Sequence, residues 1–222
     1  MCIIIFNLIM VVLIKLLIDM NCLIMPIAQS PRKVIGMPDS DKNKELFYAS
    51  YLCNDNLVRE LLATGADPDK YKDNAGDTAL IDAASRGIDS IVSILLHHAD
   101  LNIQNNEGWT AMHWAAANGK DEVITRLIEA GADLNIQNND WETALHRSAG
   151  NGYNEATARL VEAGSDLDIQ NSEGETALHR AAGYGKNVTR TLIKAGADLN
   201  IQNNKGKTPI QVSRNKEIVR LE

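Results

Sequence analysis

Between Asn105 and Gln137 the apolar positions keep a helical period and then lose it. Met112, Ala115 and Ala116 form an apolar stripe directly after Thr110, which is a good N-cap, and Gly119 is a good stop, so a first helix is expected between them. A second is expected from about Glu122, with Val123, Ile124, Leu127 and Ile128 on one face and Gly131 closing it. From Asp133 to Trp141 the chain is polar, rich in turn formers and too short for another helix, which predicts an extended connecting finger. Two such short helices cannot bury two apolar faces alone. The faces close only against neighbouring units of the same kind.

Such neighbours are present. Thr78-Ala-Leu-Ile81 returns as Thr110-Ala-Met-His113, Thr143-Ala-Leu-His146, Thr176-Ala-Leu-His179 and Thr208-Pro-Ile-Gln211, at intervals of 32, 33, 33 and 32 residues. Asp100-Leu-Asn-Ile-Gln-Asn105 keeps step with it at 133–138, at 166–171 with Asp168 in place of asparagine, and at 198–203. A period of this length means a stacked array with nearest-neighbour stability, and arrays present surfaces to partners. Leu46 to Asp69 reads as a degenerate first unit without the threonine start, and Thr208 to Leu221 compresses two helices into a terminal cap.

These residues resemble the ankyrin repeat: Gly-x-Thr-Pro-Leu-His, two alanines, a turn glycine, an Ile/Val-Val-x-x-Leu-Leu helix and Gly-Ala-Asp are matched almost unit for unit. The resemblance implies an all-α solenoid of helix-turn-helix units with finger loops over residues 45–222, divided at about 45–71 (cap), 72–104, 105–137, 138–170, 171–202 and 203–222 (cap). Three departures carry expectations. Alanine replaces proline in four of five copies, which removes a rigid first helical residue but keeps helix propensity. His97-His98 stands where other units have the turn glycine, so a histidine is expected to bear a left-handed turn at some cost in strain. Trp141 sits where the other fingers carry Gly76, Gly108, Gly174 and Gly206, and the finger from Asn139 to Glu142 is expected to be distorted.

An apolar content of 45% with only 5% aromatics fits a helical array built from Ala, Leu and Ile. Residues 41–222 hold 19 of the 22 basic and 27 of the 29 acidic residues, a balance of −8 with no basic stripe, which argues against nucleic acid as partner. Cys2, Cys22 and Cys53 make no disulfide framework and no metal-ligand spacing, which suits a domain folding in a reducing cytosol.

Residues 1–28 form a hydrophobic segment, followed by a linker over 29–44 that contains Pro31, Gly36 and Pro38. Three readings of the segment stand. It is a secretory signal cleaved after Pro26-Ile-Ala28, although the usual preceding basic residues are missing; or an anchor in which residues 2–18 contact a membrane; or an untranslated stretch ahead of Met10, Met20, Met25 or Met37. The seventeen residues from Cys2 to Ile18 span about 25 Å as a helix, short of a bilayer core of about 30 Å.

Candidate chemistry is sparse. His113, His146 and His179 could suggest zinc, but helices in adjacent layers stand about 10 Å apart, whereas ligands sit at about 2 Å from the metal. The ankyrin resemblance implies instead that each imidazole links its cap threonine to the adjoining turn. Gly150-Asn-Gly152 and Gly183-Tyr-Gly185 fall between helices rather than after a strand, so they are stops rather than phosphate loops. Asn187-Val-Thr189 matches a glycosylation acceptor, a match chance readily supplies. Serines and histidines keep repeat phase rather than converging, so no catalysis, cofactor or metal is expected.

The resemblance places partner recognition on the concave side, at finger tips and first helices. That surface would hold Asp77, Ser85 and Arg86; Glu107, Trp109 and Asn118; Asp140, Glu142 and Asn151; Glu173, Glu175 and Tyr184; then Lys205 and Lys207. It is acidic for four units and basic at the end, and suits a partner with a basic or mixed face and an apolar pocket for Trp109. The expected product is a monomeric, non-catalytic scaffold for a protein partner. A membrane-tethered adaptor and a recently duplicated array without a selected partner are the alternatives.

Overall fold

The computed structural model describes residues 41–183 and 186–213. The hydrophobic segment at 1–28, Tyr184 and the end of the terminal cap lie outside the described residues. Eleven helices are found among those described: α1 Lys42–Tyr51, α2 Asp55–Ala63, α3 Ala79–Arg86, α4 Asp89–Leu95, α5 Ala111–Ala117, α6 Asp121–Glu129, α7 Ala144–Gly150, α8 Asn154–Glu162, α9 Ala177–Ala182, α10 Lys186–Lys194 and α11 Pro209–Val212. α1 starts at Lys42 behind the capping carboxylate of Asp41, inside the stretch expected to be linker. Odd-numbered helices stack on one another as an inner row, and even-numbered helices from α2 to α10 as an outer row.

Each unit buries what it cannot bury alone. Leu80, Met112, Leu145 and Leu178 of the inner helices and Ile91, Leu95, Ile124, Leu127, Leu160 and Leu192 of the outer ones are almost wholly shielded from solvent, within one continuous core. Inner helices start at Thr78, Thr110, Thr143, Thr176 and Thr208 in extended backbone, and at the last four of these the third helical side chain reaches back to complete a capping box.

The recurring hexapeptide holds the units together. Asp133 accepts from the backbone N–H of Asn135 two residues on, and its own N–H donates to Asn102 Oδ1 of the preceding unit at 2.9 Å. Asp166 repeats this on Asn135, and Asp198 on Asp168. The amide of Gln104 donates to the carbonyls of Gly108 and, in the next unit, Gln137, and Gln137 repeats the pattern on Trp141 and Gln170. Asn105, Asn138, Asn171 and Asn203 are buried, and each side-chain oxygen accepts two finger N–H groups, so the finger is closed from within.

Three expectations need correction. No histidine adopts a left-handed conformation; among non-glycine residues described, only Cys53 and Trp141 do. The unit loses a residue rather than substituting one: three residues separate Leu96 from Asp100, against four between Ile128 and Asp133. The turn therefore closes by a tighter bond, Ala99 N–H to the Leu95 carbonyl, where the next unit uses Ala132 to Leu127 across Gly131. The Trp141 finger is not distorted either. Asn138 N–H reaches the Glu142 carbonyl at 2.9 Å, as Asn105 reaches Trp109 at 2.9 Å, and Trp141 itself takes φ +62° beside +77° at Gly108. The inter-finger bonds outweigh the preference of the tryptophan backbone. Finally, Cys53 is disulfide-bonded, where the three cysteines had suggested no disulfide framework and a domain folding in a reducing cytosol.

Candidate functional site

The inner helices and the fingers frame one face of the stack. Consecutive fingers bond directly through their backbones: Asn106 N–H to the Ala75 carbonyl, Asn139 to Glu107, Ser172 to Asp140, and Asn204 to Glu173, all at 3.0–3.1 Å. The residue before each finger glycine is thus set in register along a ridge, and Glu107, Asp140, Glu173 and Lys205 are exposed on it. Among the described residues none of the three carboxylates is in an ion pair.

The residue after the glycine points the other way, towards the inner helices, because the buried asparagine holds both flanking N–H groups. This row corrects two expected contact residues. Trp109 is 8% exposed, with its ring 4.5 Å from that of Trp114 and under the Arg147 guanidinium at 4.6 Å, so it presents no free anchor. Glu142 is buried between Arg147 at 2.8 Å and Arg180 at 3.3 Å. Burial alone would raise its pKa, but the Arg147 hydrogen bond and the charges of Arg180 and Arg147 outweigh it and hold the carboxyl below the usual range. Asp77 and Glu175 in the same row are half-buried, and Lys207 is exposed. Asp77 accepts from Asn105 Nδ2 at 2.7 Å, and its pKa is raised chiefly by burial.

The remaining expected residues line the inner-helix floor. Asn118 and Asn151 are exposed and reach back to the preceding unit, at the carbonyls of Ser85 and Ala117, 2.9 Å each. Arg86 lies over the Tyr51 ring at 4.7 Å and bonds Asp82 at 3.2 Å. The floor's central row is Asp82, Trp114, Arg147 and Arg180, of which the sequence had singled out Trp114 alone, as an aromatic interrupting the polar surface. Each stands four residues after a cap threonine, so the phase that located the other residues would have located all four.

The three histidines are structural. His113 Nε2 lies 3.0 Å from the Glu142 carbonyl, and His146 and His179 repeat this on Glu175 and Lys207 at 2.9 and 3.0 Å. Each Nδ1 receives the N–H of its cap threonine at 3.1–3.2 Å. Nε2 is therefore the protonated nitrogen, and burial pushes the His113 pKa down to about 4 and lowers that of His146. Among the described residues no group of three or more His, Cys, Asp or Glu is placed to hold a metal ion, and no helix is long and apolar enough to cross a membrane. A cavity of about 440 Å³ between α2 and α4, lined by Arg59, Leu62, Ser93, Ile94, His97 and His98, lies on the outer row, away from the ridge.

Comparison with known proteins agrees with this geometry. The family model for ankyrin repeats, in three copies, matches residues 46–138, 116–203 and 145–221. The solved ankyrin repeat domain of Bcl-3, described as a unique member of the IkappaB protein family, superposes with a TM-score of 0.74 at 29% identity, covering 79% of this chain and 80% of that one. Among curated proteins, alpha-latroinsectotoxin-Lt1a of Latrodectus tredecimguttatus is 34% identical over 99 residues, 44% of this chain and 7% of the toxin. Ankyrin repeat and SAM domain-containing protein 6 of Mus musculus is 33% identical over 100 residues, 43% of this chain and 11% of that protein. The match thus spans about a tenth or less of the length of these two relatives.

Proposed function

The chain belongs to the ankyrin-repeat family, whose repeats are in general protein–protein interaction modules, and from that premise we propose that it is a monomeric, non-catalytic scaffold that binds a protein partner through its concave face. One observation carries the reading. Apolar stripes and repeated asparagines are consumed in holding the stack, whereas the ridge of Glu107, Asp140, Glu173 and Lys205 is exposed, and its carboxylates are in no ion pair among the described residues. Charges held in register at a unit spacing of about 10 Å suit a partner surface that runs along the stack.

The contact residues are Glu107, Asn118, Asp140, Asn151, Glu173, Lys205 and Lys207, with Asp77, Arg86 and Glu175 at the edge of the floor. Trp109 and Glu142 support this surface from beneath. Asn118→Arg combined with Asn151→Arg fills the floor without touching the core, and should abolish partner association while leaving the melting temperature within a few degrees. Unchanged association would overturn the proposal.

A further inference from the structure

Trp141 is 62% exposed, the most exposed large apolar side chain among those described, and it stands on a finger tip in a left-handed conformation that the equivalent positions give to glycine. A Cβ added at Gly108 would meet Asn139 Oδ1 of the next finger at 2.7 Å. The finger after Trp141 carries Ser172 where the others carry Asn106, Asn139 and Asn204, so the neighbour is trimmed at this one place. Asp140 precedes Trp141 in its own finger, and Glu107 and Glu173 hold the position matching Asp140 in the adjacent fingers, which are tied to it by backbone hydrogen bonds. An aromatic face among exposed, unpaired carboxylates is complementary to a guanidinium or ammonium group.

We propose that Trp141 anchors a basic, extended segment of the partner, with one cationic side chain on the indole and others on Glu107, Asp140 and Glu173. This rests on the concave-face reading and names the chemistry of its occupant. The unit spacing sets the pitch. A polyproline II segment advances about 3.1 Å per residue with three residues per turn, so basic residues at every third position share one face and match fingers about 10 Å apart.

The test titrates the full chain with a synthetic twelve-residue peptide bearing arginine at every third position among glycine and serine. A second peptide of the same composition, with its arginines in one block, is the control. The spaced peptide should bind more tightly than the blocked one. Trp141→Gly should weaken it roughly tenfold, and Trp141→Phe should retain most of the affinity. Trp141→Gly relieves backbone strain rather than damaging the fold, so a weaker complex from a protein at least as stable separates contact from structure. Equal binding of the two peptides, equal binding by wild type and Trp141→Gly, or binding of neither peptide would overturn the proposal. In each case the concave-face reading stands or falls separately, on the Asn118 and Asn151 variants.

Discussion

The imidazole of His113 and the backbone carbonyl of Glu142 lie 3.0 Å apart, across two units of the stack. The same residue 142 holds Arg147 and Arg180 with its carboxylate, so one buried position ties a helix start, a finger and two inner helices together. The bond needs the Nε2–H form, because Nδ1 is occupied as an acceptor for the Thr110 N–H.

Stability should therefore fall on mild acidification. The His113 pKa is about 4 in the folded protein against about 6.5 unfolded, so its contribution is complete above pH 6.5, is lost between 6.5 and 4, and is level below that. The shift corresponds to about 3 kcal/mol at most. Urea unfolding at pH 7.5 and 4.5 should show a smaller drop for His113→Asn than for wild type. An equal drop would mean that other groups carry the acid sensitivity.

Glu142→Ala should destabilise the protein by about 2 kcal/mol, because it leaves two guanidiniums against one another without their shared carboxylate. Their partial exposure to water, 25% and 31%, keeps the loss below that of a fully buried pair. Glu142 substitutions therefore report on folding before they report on binding. Denaturant titration of Glu142→Ala and Glu142→Gln checks the magnitude.

Trp141→Gly should raise stability by roughly 1 kcal/mol, since glycine meets no penalty at φ +62°. Ser172→Asn should destabilise wild type yet be neutral or favourable beside Trp141→Gly, because it restores the side chain that the indole displaces. A double-mutant cycle by thermal melt reads this coupling directly, and strict additivity would contradict it.

Asn171→Ala should cost about 2 kcal/mol, since two finger N–H groups, of Glu173 and Glu175, lose a buried acceptor at 3.0 and 2.9 Å. Hydrogen exchange at those two amides should accelerate more than at the amides of α9.

The fold was legible because two periods coincide in the chain: the helical stripe within a unit and the 32- to 33-residue recurrence between units. The hexapeptide was visible as a repeat, but its purpose was not, because each polar atom answers a partner some thirty residues away. Exposure was the weak point at the site. Glu107 and Trp109 are two residues apart on a turn and look equally superficial in sequence, yet the Asn105 side chain between them sends one outward and the other under Arg147. Likewise the missing residue near His98 looked like a substitution, because the absent turn glycine is more conspicuous than the shorter count between Leu96 and Asp100.

The proposed function depends on which face meets the partner. The most direct measurement places a photo-activated cross-linking side chain at Asn118, at Asn151 and, on the exposed outer helix, at Glu129, in the full chain within cells of its source, and identifies the adducts by mass. Binding through the concave face should give one common protein adduct from Asn118 and Asn151 and none from Glu129. The same adduct from Glu129 alone, or none from the two concave positions, would contradict it.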